Sequence, residues 1–141
     1  MLRKSALAVA VSSTAAFAVA GAGSGPADAA AMYHGTLAVS RTTGKVVSAV
    51  DHPSRVTADA AAIRECGVYD CELVQRFVDS CAAIAQGADG KYGWAAAGTR
   101  AEAEGRAVAS LGESAPPFPD LGSAQPRAAR VAISACTKNA G

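Results

Sequence analysis

SRVTADAAAIRECGVYDCELVQRFVDSC, residues 54–81, is the stretch from which the fold can be read. It holds a short helix, a tight turn bounded by Cys66 and Cys71, a strand, and a third cysteine, Cys81. Ala58, Ala62, Ile63 and Cys66 fall at spacings that place them on one helical stripe. Ser54, after Pro53, is a helix-starting residue because its hydroxyl can accept from an otherwise unpaired backbone N–H. Gly67 is a stop, because glycine tolerates the left-handed conformation in which helices end. The expected helix covers about 55–66.

The same pattern returns 45 residues later as TRAEAEGRAVASLG, residues 99–112. Arg55 matches Arg100, Ala58 matches Ala103, Ala62 matches Ala107, Ile63 matches Val108, Cys66 matches Leu111 and Gly67 matches Gly112. Thr99 with Glu102 has the form of a capping box. The second helix is expected over about 100–111. Alanine along both stripes keeps the helices thin, so a sheet can approach closely.

Around the helices the strands recur in the same order. Residues 32–39, MYHGTLAV, read as a strand, then a turn at Ser40–Gly44, then a returning strand at 45–50, KVVSAV. After Cys71, ELVQRFV is strand-like, with Leu73, Gln75 and Phe77 on one face and Val74, Arg76 and Val78 on the other. CAAIAQ at 81–86, the Asp89–Gly90 turn, and YGWAAAG at 92–98 repeat the hairpin. Residues 113–130 contain four prolines and read as a long loop. RVAISAC at 130–136 is the last strand, and the closing TKNAG is expected to fray. The fold class is therefore α+β: two pseudo-symmetric β-β-α-β units, 32–79 and 80–136, forming one domain with predominantly antiparallel sheet. Whether they share one sheet or pack two is left open. The Pro-rich stretch is the main break in the symmetry, and long structureless loops are uncommon in compact domains.

Residues 1–29 read as a secretory signal peptide. Arg3 and Lys4 are followed by an apolar run over 5–22, and Ala27 and Ala29 form an A-x-A processing site. Cleavage after Ala29 leaves 141 − 29, about 112 residues, which is one domain. It removes two of 13 basic residues and one of 12 acidic residues, leaving 11 of each. A net charge of zero argues against a nucleic-acid partner. No later stretch is long and apolar enough to span a bilayer. The alanine and glycine usage is that of a high-GC bacterium such as an actinobacterium.

The four cysteines, Cys66, Cys71, Cys81 and Cys136, are expected to form two disulfides in an exported chain. Three connectivities are possible. The expected pairing is Cys66 with Cys71 and Cys81 with Cys136, which closes one short loop and one long one. A zinc site is disfavoured because C-x4-C is a poor spacing and neither histidine is near it. No metal or other cofactor is implied.

GTLAVSRTTGKVVSAVDHPSRVTADAAAIRECG, then DC, a strand, and CAAIAQGADGKYGWAAAGTRAEAEGRA together resemble the DUF4189 family of exported proteins from mycobacteria and other bacteria. The resemblance covers 34–137 and implies export and a disulfide-stapled domain, but no activity. Leu111 stands where many second copies have cysteine.

Candidate chemistry is sparse. His34 and His52 are the only histidines. Asp51, His52 and Ser54 could form a Ser-His-Asp site only if the loop folded back, and Ser54 is better explained as a cap. Glu65 and Glu72 flank the 66–71 turn and could serve as paired carboxylates. Arg55 and Arg100, matched in the first helical turns, are candidates for an acidic partner, against internal pairing. Tyr92 and Trp94 share a strand face and would form a binding patch if exposed, or part of the core if not. These residues favour a non-enzymatic module binding a protein or envelope component. The alternatives are a small envelope-acting hydrolase, or a protease inhibitor presenting 113–130.

Overall fold

The structure, a computed structural model, describes residues 31–116 and 125–140. The expected leader and residues 117–124 of the Pro-rich stretch lie outside the described residues.

The first unit opens with β1 (His34–Ser40) and β2 (Val46–His52), joined by a turn in which Gly44 takes φ 71°. β1 starts at His34 rather than Met32, because the Tyr33 N–H donates to the Asp79 carboxylate (2.8 Å) and not to a strand. β2 runs past Val50 to His52. The pairing with β1 shifts register between His34 and Thr36, and Asp51 sits there in the left-handed region at φ 64°. Helix α1 (Arg55–Cys66) starts at Ser54 with a reciprocal cap: the Thr57 N–H donates to the Ser54 hydroxyl, and the Ser54 N–H to the Thr57 hydroxyl. It ends at Gly67, φ 68°, whose N–H donates to the Ile63 carbonyl. Strand β3 (Cys71–Val78) returns beside β1.

The second unit repeats the plan with β4 (Cys81–Gln86), β5 (Tyr92–Ala97) and α2 (Arg100–Leu111). The Thr99 hydroxyl accepts from the Glu102 N–H (3.3 Å). The return bond of a full box is replaced, because the Glu102 carboxylate pairs with Arg106 one turn on. The 113–130 stretch is not all loop. Its two ends meet as a small ribbon, β6 (Glu113–Ser114) against β7 (Arg127–Ala128), before β8 (Arg130–Cys136).

Sheet order is β2-β1-β3 in one unit and β5-β4-β8 in the other, antiparallel throughout, so both units use the same order. There are two packed sheets, not one continuous one. Leu37 and Phe77 of the first meet Ala82, Ile84 and Ala135 of the second. The helices lie outside: α1 over Ala38, Val47 and Ala49, and α2 over Cys81, Ala83 and Ala85. This α/β/β/α layering explains why Cys81–Ala85 is buried at every position, since one face meets a sheet and the other a helix. Leu37 and Ile84, both fully buried, contribute roughly 1.5–3 kcal/mol each. A Cβ at Gly93 would sit 2.8 Å from Leu111 Cγ and 3.2 Å from the Ala107 carbonyl, so glycine lets α2 approach the sheet.

Three further expectations need correction. Ile63 is exposed; the buried stripe of α1 is Ala58, Ala62 and Cys66, a strict i, i+4, i+8 row. Strict alternation fails in β3, because the register with β1 slips between Leu37 and Ala38. Leu73 therefore packs on the α1 side, whereas Phe77 faces the other sheet. Of the closing TKNAG, residues 137–140 do not fray. The Thr137 N–H donates to the Ser80 carbonyl (3.0 Å), the Lys138 N–H to Asp51 (2.7 Å) and the Asn139 amide to Asp79 (2.6 Å). Both disulfides are present, Cys66–Cys71 across the α1–β3 turn and Cys81–Cys136 between paired positions of β4 and β8.

Candidate functional site

Matched at their register shifts, after Leu37 and after Ile84, the two sheets set the pair Val39–Glu72 against the pair Gln86–Arg130, and Ala129, one residue before β8, falls at the place of Cys71. Their corresponding ends are built differently.

In the first unit the end is closed. The Cys66–Cys71 disulfide holds the 67–70 turn against the β1–β2 loop. Asp70 accepts from the Ser40 hydroxyl (2.8 Å), the Thr42 hydroxyl (2.7 Å) and the Thr42 N–H (3.1 Å). The Thr42 side chain, then that of Ser40, holds the Asp70 carboxyl below its ordinary range, because these bonds favour the ionised form. Lys45 Nζ donates to the Glu65 and Cys66 carbonyls at 2.8 and 2.9 Å, capping the C-terminus of α1. Arg41 pairs with Glu72 at 3.0 Å.

In the second unit Leu111 and Ala129 replace the disulfide and share one apolar cluster. The connection between them is the long Pro-rich stretch rather than a four-residue turn. Arg130 stands where Glu72 stood, and the β4–β5 turn, GADGK, offers no arginine like Arg41. A recess of about 400 Å³ opens here, between the Gly87–Gly90 turn, Gln86, Arg127 and Arg130. Its walls are tied down. Gln86 Nε2 donates to the Tyr92 hydroxyl (3.0 Å), the Asp89 N–H to the Ser114 hydroxyl (3.4 Å), and the Lys91 N–H to Asp89 (3.2 Å). That backbone bond from Lys91 is the main reason the Asp89 carboxyl is held low.

At the opposite end the histidines meet: His34 lies directly across from His52 in the β1–β2 pair. The Ser-His-Asp arrangement is not assembled there. The Asp51 carboxylate accepts from the Lys138 backbone, and the Ser54 hydroxyl serves the helix cap. The Asp79 carboxyl is lowered, first by the Tyr33 N–H and then by Asn139. Lys138 Nζ lies 4.0 Å over the Tyr33 ring. Glu65 and Glu72 are not paired with each other: Glu72 holds Arg41, and Glu65 is exposed at the end of α1.

Tyr92 and Trp94 are half-buried and pack with the cluster between the sheets. Arg100 donates to the Ser134 carbonyl (2.8 Å) and hydroxyl (2.9 Å) within its own unit, while Arg55 is exposed. A feature absent from the sequence reading is a matched acidic position on the helices. Asp59 receives Thr36 and Arg76, and Glu104 receives Ser134. Arg127 and Arg130 were also missed, because their spacing in RAAR carries no signal until the register places both on one recess.

Fold and site define a small α+β domain, stapled by two disulfides and built from two like-ordered three-stranded sheets. The chain belongs to the family described as "Domain of unknown function (DUF4189)", which matches residues 34–118. Arg127 and Arg130 lie beyond that match. No curated protein and no solved structure matches the chain. Among the described residues no helix is long and apolar enough to cross a membrane.

Proposed function

We propose that this chain is exported, loses residues 1–29, and serves as a rigid binding module rather than an enzyme, with its ligand in the recess of the second unit. One observation carries the reading: at matched ends of two like-ordered units, the first is sealed by a disulfide turn and the second opens into a recess of about 400 Å³. A concave, pre-formed surface walled by hydrogen-bonded turns suits binding without rearrangement. Export is supported by the leader-like segment and by the two disulfides, which persist in oxidising compartments. Of the four residues favoured from sequence, Tyr92 joins the recess through its bond with Gln86. Trp94 and Arg100 have packing roles on this reading, and Arg55 remains available on α1.

The test is retention of a partner from culture medium or envelope extract on immobilised protein. Ala88→Trp fills the recess; Ala60→Trp places the same bulk on the exposed face of α1. Retention lost only with Ala88→Trp supports the proposal. Retention by both variants refutes the recess. Turnover of an envelope polymer that disappears in His52→Ala would establish the hydrolase instead.

A further inference from the structure

We infer that the recess recognises a carboxylate group, so that its ligand is a sugar acid or an acidic residue; this rests on the binding reading above. The argument begins with charge. Among the described residues of the elements that build the recess, Arg127, Arg130 and Lys91 are cationic, and Asp89 and Glu113 anionic, so three less two leaves +1. At the matched end of the first unit, Arg41, Lys45 and Arg64 stand against Glu65, Asp70 and Glu72, so three less three leaves zero. The open end is the more positive of the two.

The distribution sharpens this. Lys91 Nζ lies 3.2 Å from Asp89 Oδ2 on the same turn, so those two charges offset each other. Arg127 and Arg130, which line the recess, remain as its cations among the described residues. A guanidinium is planar and presents paired N–H donors that match the two oxygens of a carboxylate. A local balance of +1 suits a monoanion better than a phosphate dianion. A volume of about 400 Å³ exceeds a carboxylate alone and leaves room for the ring or side chain that bears it.

The turn is shaped for close approach. A Cβ on Gly87 would lie 2.5 Å from Asp89 Oδ1 and 2.9 Å from the Ser114 hydroxyl, so glycine lets the turn seat against β6. Gly90, at φ 81°, meets nothing at its Cβ position and leaves the rim bare. Among the described residues, the recess is held from below by these contacts and left bare at Gly90.

The experiment follows backbone amide shifts of the oxidised, purified protein during titration with glucuronate, N-acetylglutamate, glucose and inorganic phosphate. Glucuronate or N-acetylglutamate should move Gly87, Ala88, Gly90 and Ala128 with a dissociation constant on the order of 1 mM, weakening as salt rises. Whichever of the two binds more tightly identifies the source of the carboxylate. Arg127→Gln and Arg130→Gln should each weaken it about tenfold, and Arg130→Lys should recover part of that loss. Tighter binding of phosphate, equal binding of glucose, or no shift with either acid overturns the carboxylate assignment. Glucose shifts confined to the recess would still leave the binding reading standing; Ala88→Trp decides that reading separately.

Discussion

Asp70 shows what a single side chain does in this fold. Its carboxylate collects three donors from Ser40 and Thr42, and so seals the end of the first unit. Those bonds depress its folded-state pKa below the ordinary 3.8. The resulting stabilisation is fully present above that ordinary value and is lost as pH falls through the lower, folded value. Urea midpoints followed from neutral pH down to about pH 2 should fall on the acid side in the wild type. Asp70→Asn should begin lower at neutral pH and fall less steeply below about pH 4. Parallel curves would mean that the carboxylate contributes nothing to acid sensitivity. From the sequence, Asp70 is only a polar turn residue in GVYD. Its partners lie about thirty positions earlier, and only the pairing of β1 with β3 brings them together.

Elements whose signals are local are the most legible. Both helices start and stop where their caps place them, because a cap involves only residues within one turn of each other. The two N-caps differ in strength: Ser54 exchanges bonds with Thr57 in both directions, whereas Thr99 only accepts. Ser54→Ala is expected to cost about 1 kcal/mol, and Thr99→Ala less. Chemical denaturation of the two variants ranks them, and a larger loss for Thr99→Ala would contradict the cap geometry. What the helical pattern could not settle was Ile63. It lies on the margin of the alanine stripe, and only the position of the sheet beneath α1 leaves it in solvent. The same limit applies to β3, whose faces change sides at a register shift that no local periodicity signals.

The whole molecule is two thin α/β layers pressed together through modest apolar side chains, so covalent staples matter. Cys81–Cys136 joins positions 55 apart in sequence, and Cys66–Cys71 positions 5 apart. Loop entropy assigns about 4 kcal/mol to the first and about 2 kcal/mol to the second. Guanidinium unfolding of the Cys81→Ala/Cys136→Ala and Cys66→Ala/Cys71→Ala pairs should show the larger loss in the first. A larger loss in the second would mean that the closed end of the first unit, rather than chain entropy, dominates. The sequence by itself determined both helices, the two hairpins, the α+β class and the four cysteines as staples, because each depends on spacing, capping or composition that neighbouring residues carry. Tertiary structure decided that two sheets pack face to face, that the C-terminal residues are tied to Asp51 and Asp79, and that Arg127 and Arg130 share a recess. Those features depend on strand register between segments tens of residues apart, and register is set by how two buried faces fit, which no single stretch of chain contains.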